Sequence, residues 1–288
     1  MKRRRLFCLL LVMLALSFVS FRWPVDSGTI TSTFCESRWD HFHDGIDMTS
    51  VDDRVYPVEP GKLLFYWDKA LFPLDNYPGG GNFKILEHRN GVYSLYMHLE
   101  NGLSSKKTYA ERDTVGMMGN TGHSINKHIH FSIMQYPGRV SVNPLKILPA
   151  WEDTKAPVLS EIAFHIGDKI IIVRDKANIR LTRHYPLLVK INDAMTGREN
   201  LGVYRLTVEF NGRNVLKKEF GSIAVSRGRL TVDGKKFENL FDSKGYYKIE
   251  GLTYAEGENV VKVTASDYAG NTAEKEYTFN VKLDISQE

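Results

Sequence analysis

Cysteine is scarce in this sequence, which has only Cys8 and Cys35 among 288 residues. Cys8 lies inside the apolar run near the N-terminus, so only Cys35 remains in the rest of the chain. This excludes a fold that depends on intramolecular disulfides beyond that run. At this length the chain can bury its cores without cross-links, and it is long enough for two domains of ordinary size.

An excess of charge of one sign is also missing. The chain has 38 Lys and Arg residues against 34 Asp and Glu residues, and four basic residues at positions 2–5 account for the difference. The rest of the chain is therefore near neutral, which argues against nucleic acid as the main partner.

Long apolar runs are confined to the N-terminus, where "MKRRR" precedes "LFCLLLVMLALSFVSF". A basic segment before a short apolar run is typical of an export signal, and Ala15 and Ser17 give the small-x-small pattern that signal peptidases recognise. The alternative is an uncleaved membrane anchor in a locally thinned bilayer. We predict that residues 1–22 are a signal peptide or N-terminal anchor and that the protein is exported, to the periplasm, the cell envelope or the exterior.

No long stretch repeats its apolar residues every 3.6 positions, so we expect few helices. In "KILEHRNGVYSLYMHL" two alternating runs flank Asn90-Gly91, a dipeptide that supplies the positive φ angles of a tight hairpin turn. The segment from Phe65 to Asn82 carries two prolines and three successive glycines, which predicts a long loop between strands. Loops of this length are often functional.

The polar stretch "LPAWEDTKAPVL" predicts a domain boundary, with one domain over residues 23–150, a linker over 151–157 and a second domain over 158–288. In the second domain, strand-like runs recur at about the spacing of a β-sandwich, among them "EIAFHI", "LLVKIN" and "YRLTVEF". Its ending resembles that of bacterial immunoglobulin-like domains. The predicted fold class is therefore all-β, with an antiparallel-sheet domain followed by an immunoglobulin-like β-sandwich.

Seven of the nine histidines lie between His41 and His130, so a site is expected there. In "NKHIHFSI", His128 and His130 would share one face of a strand while Ile129 packs on the other. Two imidazoles side by side suit a metal site or an acid–base pair, although an exposed strand can carry such a pair without any chemical role.

His43 and Asp47 are a second candidate pair in "DHFHDGIDM". On a straight strand they would stand about 13 Å apart, too far for zinc ligands that lie about 2 Å from the ion. The backbone must therefore bend between them, and Gly45 permits a bend at low steric cost. The chemistry favours His43 and Asp47 as a metal-binding pair with Gly45 as the hinge.

These motifs resemble those of the lysostaphin/LytM-type zinc metallopeptidases, which cut peptidoglycan peptides. The segment His43 to Asp47 matches the H-x-G-x-D signature, and His128 to His130 matches H-x-H. Further segments resemble the family in the same order, so that about 120 residues are covered: "GTITSTFCESR", "DDRVYPVEPGKLLFY", "LYMHL", "DTVGMMGNTGHSINKHIHFSI" and "VNPLKIL". The resemblance implies a zinc metallopeptidase domain over residues 23–150.

The resemblance also implies one Zn²⁺ per chain, bound by His43, Asp47 and His130, with His98 and His128 as catalytic residues beside the open coordination position. Three nitrogen or oxygen ligands with one solvent position are the layout of a catalytic zinc site. Either imidazole can take the proton of a zinc-activated water or stabilise the oxyanion, and which of them is the base stays open.

Other residues of the region have weaker assignments. Tyr96 precedes His98 by two positions, so it is expected on the same strand face, where it contacts substrate or simply packs. His123 is expected to be solvated and to line the substrate groove, and Cys35 to be a small buried residue rather than a fourth ligand. Rim or solvent positions are expected for His41, Asp44 and His88.

The sequence departs from the family pattern at three places. Cys35-Glu36-Ser37 precedes Arg38 where the family usually has Gly-x-Arg, and Asn126-Lys127 stands before H-x-H where the family usually has Gly-Pro. Phe131 is followed by Ser132, where the family usually has glutamate. None of these departures removes an implied ligand or catalytic histidine.

Together these features predict an exported zinc endopeptidase that hydrolyses peptide bonds in peptidoglycan cross-links or stems. One alternative is a non-catalytic wall-binding or hydrolase-regulating module on the same fold, although such proteins usually lose one of the five site residues. A protein substrate is a further alternative. The second domain would act as a spacer, target the cell wall or dock a protein, and the fold alone does not choose among these roles.

Overall fold

The structure is a computed structural model that describes residues 21–136, 140–195 and 198–284. Nearly all of the predicted signal or anchor, residues 1–22, therefore lies outside the described residues. No helix in the described ranges is long and apolar enough to cross a membrane.

The described residues are mainly β-strands, as predicted. The helical elements among them are one turn of α-helix, α1 (Phe237–Leu240), and two 3-10 turns at Arg89–Gly91 and Pro144–Lys146. The strands are β1 (Thr29–Ser32), β2 (Ile46–Thr49), β3 (Arg54–Val55), β4 (Gly61–Trp67), β5 (Asn82–Glu87), β6 (Val92–Leu99), β7 (Thr108–Tyr109), β8 (Gly116–Met117), β9 (Ile129–Gln135), β10 (Val140–Val142), β11 (Val158–Ile166), β12 (Lys169–Val173), β13 (Ala177–Leu181), β14 (Leu187–Met195), β15 (Arg198–Leu201), β16 (Arg205–Phe210), β17 (Arg213–Glu219), β18 (Ser222–Ser226), β19 (Arg229–Val232), β20 (Lys235–Lys236), β21 (Tyr247–Ile249), β22 (Gly257–Ser266) and β23 (Thr272–Leu283).

The main antiparallel sheet runs β20-β19-β18-β10-β9-β6-β5-β4-β7, and β2 pairs with both β9 and β1 beside this path. The registers bring distant residues together, because Asp47 of β2 is directly opposite His130 of β9 and Met97 of β6 is opposite the same histidine. Strand β9 therefore places His130 between Asp47 of β2 and Met97 of β6.

Strand β9 has two buried faces of different chemistry. Ile129, Phe131 and Ile133 point into the hydrophobic core and are fully buried. His130 and Ser132 lie on the opposite face, as the period of two for a strand requires. Because apolar residues alternate with His130 and Ser132 along β9, packing of the apolar side chains in the core turns His130 to the other face of the sheet.

The predicted hairpin turn is present between β5 and β6. Asn90 and Gly91 both have positive φ angles, 58° and 69°, and the N–H of His88 donates to the carbonyl oxygen of Val92 at 2.8 Å. This is the geometry that an Asn-Gly dipeptide favours.

The C-terminal half forms two further five-stranded sheets, β12-β11-β14-β15 with β21 on β14, and β13-β23-β22-β16-β17. All pairs are antiparallel except β13 with β23. The sheets pack against each other through aromatic side chains, for example Phe164 of β11 and Phe279 of β23, whose ring centroids are 6.2 Å apart. The immunoglobulin-like class of this half stays a prediction.

Strands from the two halves also meet in one sheet. β18 pairs with β10, so that Ser141 is opposite Ile223, and β19 and β20 continue the sheet from there. The predicted linker at 151–157 separates the halves in sequence, whereas residues 222–236 extend the sheet of the N-terminal half. The domain limits therefore remain a prediction.

Candidate metal centre and catalytic groove

Three donor atoms converge between β2, β9 and the segment before β2. His43 Nε2 lies 3.0 Å from Asp47 Oδ1 and 3.0 Å from His130 Nδ1, and the last two atoms are also 3.0 Å apart. All three residues are buried. Three atoms at this spacing can each lie about 2 Å from a single ion, the usual distance of zinc ligands. The structure thus brings together the three predicted ligands.

Hydrogen bonds at the far side of each ring orient the two imidazoles. His43 Nδ1 lies 2.7 Å from the carbonyl oxygen of Thr33, and His130 Nε2 lies 3.3 Å from a carboxylate oxygen of Asp44. Both partners can only accept, so in the neutral rings these nitrogens carry the proton. The other nitrogens then present lone pairs to the centre beside a carboxylate, an arrangement that a cation stabilises. The donor set fits zinc.

The carboxylates and imidazoles of the candidate metal centre shift each other's pKa values. Burial by itself lowers the pKa of His130, but hydrogen bonds to Asp44 and Asp47 outweigh it and raise this pKa to about 9. Burial opposes ionisation of Asp47, yet His43 and His130 hold its pKa well below the usual range. Metal binding therefore displaces protons shared within this cluster.

Gly45 lies at the predicted bend between His43 and Asp47. Its φ is not in the left-handed region, so backbone freedom is not the reason for glycine here. A Cβ atom would lie 2.5 Å from the carbonyl oxygen of Phe131 and 2.6 Å from His130 Nε2. The hinge prediction needs this correction, because glycine is required by the close approach of β9.

His98 and His128 flank these ligands. His98 Nδ1 lies 2.8 Å from the carbonyl oxygen of Thr121, and His128 Nδ1 lies 2.7 Å from that of Asn126. The carbonyl oxygens only accept, so in each neutral ring Nε2 is left unprotonated. The two ring centroids are 4.8 Å apart, and His128 Nε2 lies 3.7 Å from Asp47 Oδ1. Two basic nitrogens are therefore available beside the metal ligands.

His98 occupies an irregular position in β6. Its φ is 61°, and its N–H donates to the carbonyl oxygen of Gly80 at 2.8 Å. A left-handed residue in a strand reorients side chains, and here Met97 and His98 both line the same cavity. Burial lowers the pKa of His98 to about 4, which keeps the ring neutral at physiological pH.

The sequence profile of peptidase family M23 matches residues 41–144, the segment that carries the three candidate ligands and the two further histidines. Residues 41–144 are a peptidase family M23 domain. The resemblance seen in the motifs is thereby confirmed for this domain. A second family profile, without a descriptive name, matches residues 157–282.

Relatives of the M23 domain include characterised proteins. Peptidoglycan DD-endopeptidase ShyA of Vibrio cholerae is 32% identical over 115 residues, which are 39% of this chain and 26% of that protein. DD-carboxypeptidase/endopeptidase Mpg of Neisseria meningitidis is 34% identical over 119 residues, 40% of this chain and 25% of that protein. The lysostaphin catalytic domain of Staphylococcus simulans is 21% identical with a TM-score of 0.33, and the match covers 41% of this chain and 90% of that one. The chain spans about a quarter of the length of these two curated relatives.

A groove of about 530 Å³ opens above the candidate metal ligands of the M23 domain. Two loops form its walls, residues 68–81, which correspond to the predicted long loop, and residues 118–128. The loops touch at glycines, since a Cβ on Gly122 would lie 2.3 Å from the backbone nitrogen of Gly81. The lining residues are Thr31, Arg38, His41, Asp44, Asp47, Thr49, Gly79, Gly80, Met97, His98, His123, Ser124, Ile125, Asn126, Lys127, His128 and His130.

The assignment of Tyr96 to substrate binding is wrong for this structure. Tyr96 is fully buried in the core, and its hydroxyl accepts hydrogen bonds from the N–H of Val58 and the Oγ of Ser94. The left-handed backbone at His98 breaks the alternation on which that prediction rested, so Tyr96 and His98 do not share an accessible face. The packing alternative is correct.

Two residues that support the ligands were not assigned a role from sequence. Arg38 donates to Asp47 Oδ2 at 2.6 Å and to Ser32 Oγ at 2.8 Å, which fixes the carboxylate. Glu36 accepts from the N–H and hydroxyl of Thr33 at 2.5 and 2.6 Å. Because the carbonyl of Thr33 orients His43, both residues act through the ligands. The family pattern pointed to Arg38, but nothing in it pointed to Glu36.

The remaining histidines divide between solvent and core. His123 is exposed and lines the groove, as predicted, and His41 is exposed at the rim with Nδ1 2.6 Å from Asp40 Oδ1. The solvated position expected for His88 is wrong, because this residue is buried and its Nε2 lies 2.6 Å from Ser94 Oγ. His88 directly follows β5, and its burial depends on residues distant in sequence, such as Pro60, whose carbonyl oxygen lies 3.3 Å from His88 Nδ1.

Cys35 and Asp44 are the last two residues of the region whose positions were predicted from the sequence. Cys35 is buried, and burial raises the pKa of its thiol well above the usual value, so it is the inert small residue that was expected. Asp44 is a rim residue with a function, since its half-exposed carboxylate contacts His130 Nε2. The solvent role expected for Asp44 is thus incomplete.

Proposed function

We propose that this chain is a zinc-dependent endopeptidase that hydrolyses peptide bonds in the cross-links or stems of peptidoglycan. The observation that carries the proposal is the convergence of three candidate ligands, His43, Asp47 and His130, beside a groove that His98 and His128 also line. The substrate class is supported by two relatives, the peptidoglycan DD-endopeptidase ShyA and the DD-carboxypeptidase/endopeptidase Mpg.

Five residues at the groove have a defined task in this reaction. His43, Asp47 and His130 would hold the ion. Zinc supplies a Lewis acid there, which lowers the pKa of a water and polarises the scissile carbonyl. Nε2 of His98 or His128 accepts the proton of the attacking water and returns it to the leaving amine.

Digestion of purified sacculi tests the proposal directly. Zinc-loaded protein is expected to release muropeptides with new amine termini, and mass spectrometry identifies the cleaved bond. Chelation and His128→Ala should abolish release, whereas His165→Ala, a histidine of the C-terminal half, should leave it unchanged. Zinc-loaded protein that sediments with sacculi without cutting them would contradict the enzyme and favour the wall-binding alternative.

We also propose that the chain is exported, because a basic segment precedes the apolar run at its N-terminus. Export would put the groove in the periplasm, cell envelope or exterior, where its substrate lies. Protein recovered from these fractions should begin at Phe18 if the signal is cleaved, or keep Met1 and stay with membranes if it is an anchor. Recovery from the cytoplasm alone would contradict the proposal.

A further inference from the structure

Three carboxylates converge away from the groove of the M23 domain. Asp153 lies in the segment after Pro149, Asp193 is on β14, and Asp267 directly follows β22. One carboxylate oxygen of each residue lies within 4.8 Å of the others. The cluster therefore joins one segment and two different sheets.

Asp193 is unusual because it occupies a core position. It shares the inward face of β14 with Ile191 and Met195, and its exposed fraction is 0%. Among the described residues neither of its oxygens has a hydrogen-bond partner, and Oδ2 of Asp153 is likewise buried without one. A buried carboxylate without a partner is strongly unfavourable, so these oxygens require a cation or a proton.

The surrounding hydrogen bonds hold the carboxylates in place without neutralising them. Asp267 Oδ1 accepts from the N–H groups of Gly270 and Asn271 at 2.7 and 2.9 Å. The side-chain amide of Asn271 donates to Asp267 Oδ2 at 2.8 Å and to the carbonyl oxygen of Asp153 at 3.1 Å. The positions of Asp153 and Asp267 are thus fixed before any ligand binds.

We propose that Asp153, Asp193 and Asp267 form a calcium site. The ligands are all oxygens and carry up to three negative charges, which suits a hard divalent cation. Oxygens on opposite sides of Ca²⁺ lie about 4.6–5.2 Å apart, which accommodates the 4.8 Å limit on this cluster. Mg²⁺ has a shorter bond length and retains several waters, and zinc prefers nitrogen and sulfur, so neither ion fits as well.

The ion would connect parts of the chain that are distant in sequence. It would clamp the segment after Pro149 to β14 of one sheet and to the end of β22 in the other. Without a cation, burial and the neighbouring Asp267 raise the pKa of Asp193 to about 7, so at neutral pH a proton is the competitor for the site.

Thermal unfolding of the full zinc-loaded chain tests the site, with zinc kept saturating throughout. CaCl₂ is expected to raise the Tm of the wild type by at least about 3 °C. Asp193→Asn should lose this response. Asp168→Asn, the same change at an exposed turn between β11 and β12, should respond as the wild type does.

Terbium luminescence gives a second measurement, because Trp151 and Tyr268 line the cavity beside Asp153 and can sensitise a bound ion. One Tb³⁺ per chain should bind and be displaced by CaCl₂. In calcium-free buffer Asp193→Asn should be at least as stable as the wild type, since it removes an unpaired buried charge, so misfolding cannot explain a lost response.

Three results would overturn the assignment. They are a wild-type Tm that CaCl₂ does not change, an Asp193→Asn variant that responds as strongly as the wild type, and a response to MgCl₂ without one to CaCl₂.

Discussion

Gly45 is the residue outside the ligand set on which the metal centre depends most directly. Gly45→Ala would place a methyl group against the carbonyl oxygen of Phe131 and the ring of His130. Because backbone and a ligand must both shift, we expect zinc affinity to fall at least about tenfold, measured by competition with a chromophoric chelator.

Gly79→Ala is the matched control, because its added Cβ would meet only His123 at 3.6 Å. We expect this variant to bind zinc like the wild type. A Gly45→Ala variant with unchanged zinc affinity would contradict the close-approach interpretation.

The pKa of His98 gives a prediction about pH. Burial lowers this pKa to about 4, while in the unfolded chain it is about 6.5. Between these values the unfolded chain binds an extra proton, so folding stability decreases as the pH falls from 6.5 to 4. We expect the wild type to lose up to about 3 kcal/mol more than His98→Asn over this window, measured by urea unfolding.

These titrations require EDTA throughout, because loss of zinc at acid pH would add its own pH dependence. If the folding stability of the wild type and of His98→Asn changed with pH in parallel, the ring of His98 would have the same pKa in the folded and unfolded chain. That result would contradict the prediction.

The same histidine shows how far single residues could be predicted. His43 and Asp47 followed as a pair from donor chemistry, His130 was implied as the third ligand by the family resemblance, and the structure brings the three together. Tyr96 was misassigned because the rule of alternating faces holds only for regular strands. The left-handed φ of His98 depends on a hydrogen bond to Gly80, which no local pattern in β6 encodes.

Strand β5 holds a buried charge that supports the loop beside it. Lys84 is fully buried, and its Nζ donates to the carbonyl oxygens of Ser104 and Val115 and to the hydroxyl of Tyr109. Lys84→Met would remove three hydrogen bonds from a buried ammonium, of which those to Tyr109 and Val115 are buried, so we expect unfolding to become easier by about 1–3 kcal/mol. Urea denaturation at neutral pH measures this change.

Lys62→Met on the adjacent β4 is the comparison, because Lys62 is exposed and the loss should stay within about 0.5 kcal/mol. Equal losses in the two variants would show that the buried hydrogen bonds of Lys84 contribute little.

Strands were predictable where their own sequence alternates. The runs at β11, β14 and β16 were predicted and are present. Strands β17 to β20 were not predicted: β17 and β20 are rich in charged residues and have no buried position, while β18 and β19 are only 5 and 4 residues long. They are stabilised by pairing with β16 and β10, and such long-range pairing leaves no period in the local sequence.

The two halves of the molecule are joined at the loop that orients the metal ligands. The N–H of Gly202 donates to Thr33 Oγ1 at 3.0 Å and to Glu36 Oε1 at 3.1 Å. The hydroxyl of Tyr268 donates to the carbonyl oxygen of Phe34 at 2.7 Å. With β18 paired to β10, these contacts make the C-terminal half part of the support for the proposed zinc site.

This connection predicts that the zinc-loaded chain unfolds in a single calorimetric transition. Tyr268→Phe removes one hydrogen bond between the halves, so it should lower both the Tm and, by a few-fold, the zinc affinity. Tyr277→Phe removes a comparable bond to Leu159 within the C-terminal half and should lower the Tm alone. Two separate transitions, or equal zinc affinity in the two variants, would mean that the C-terminal half does not support the metal centre.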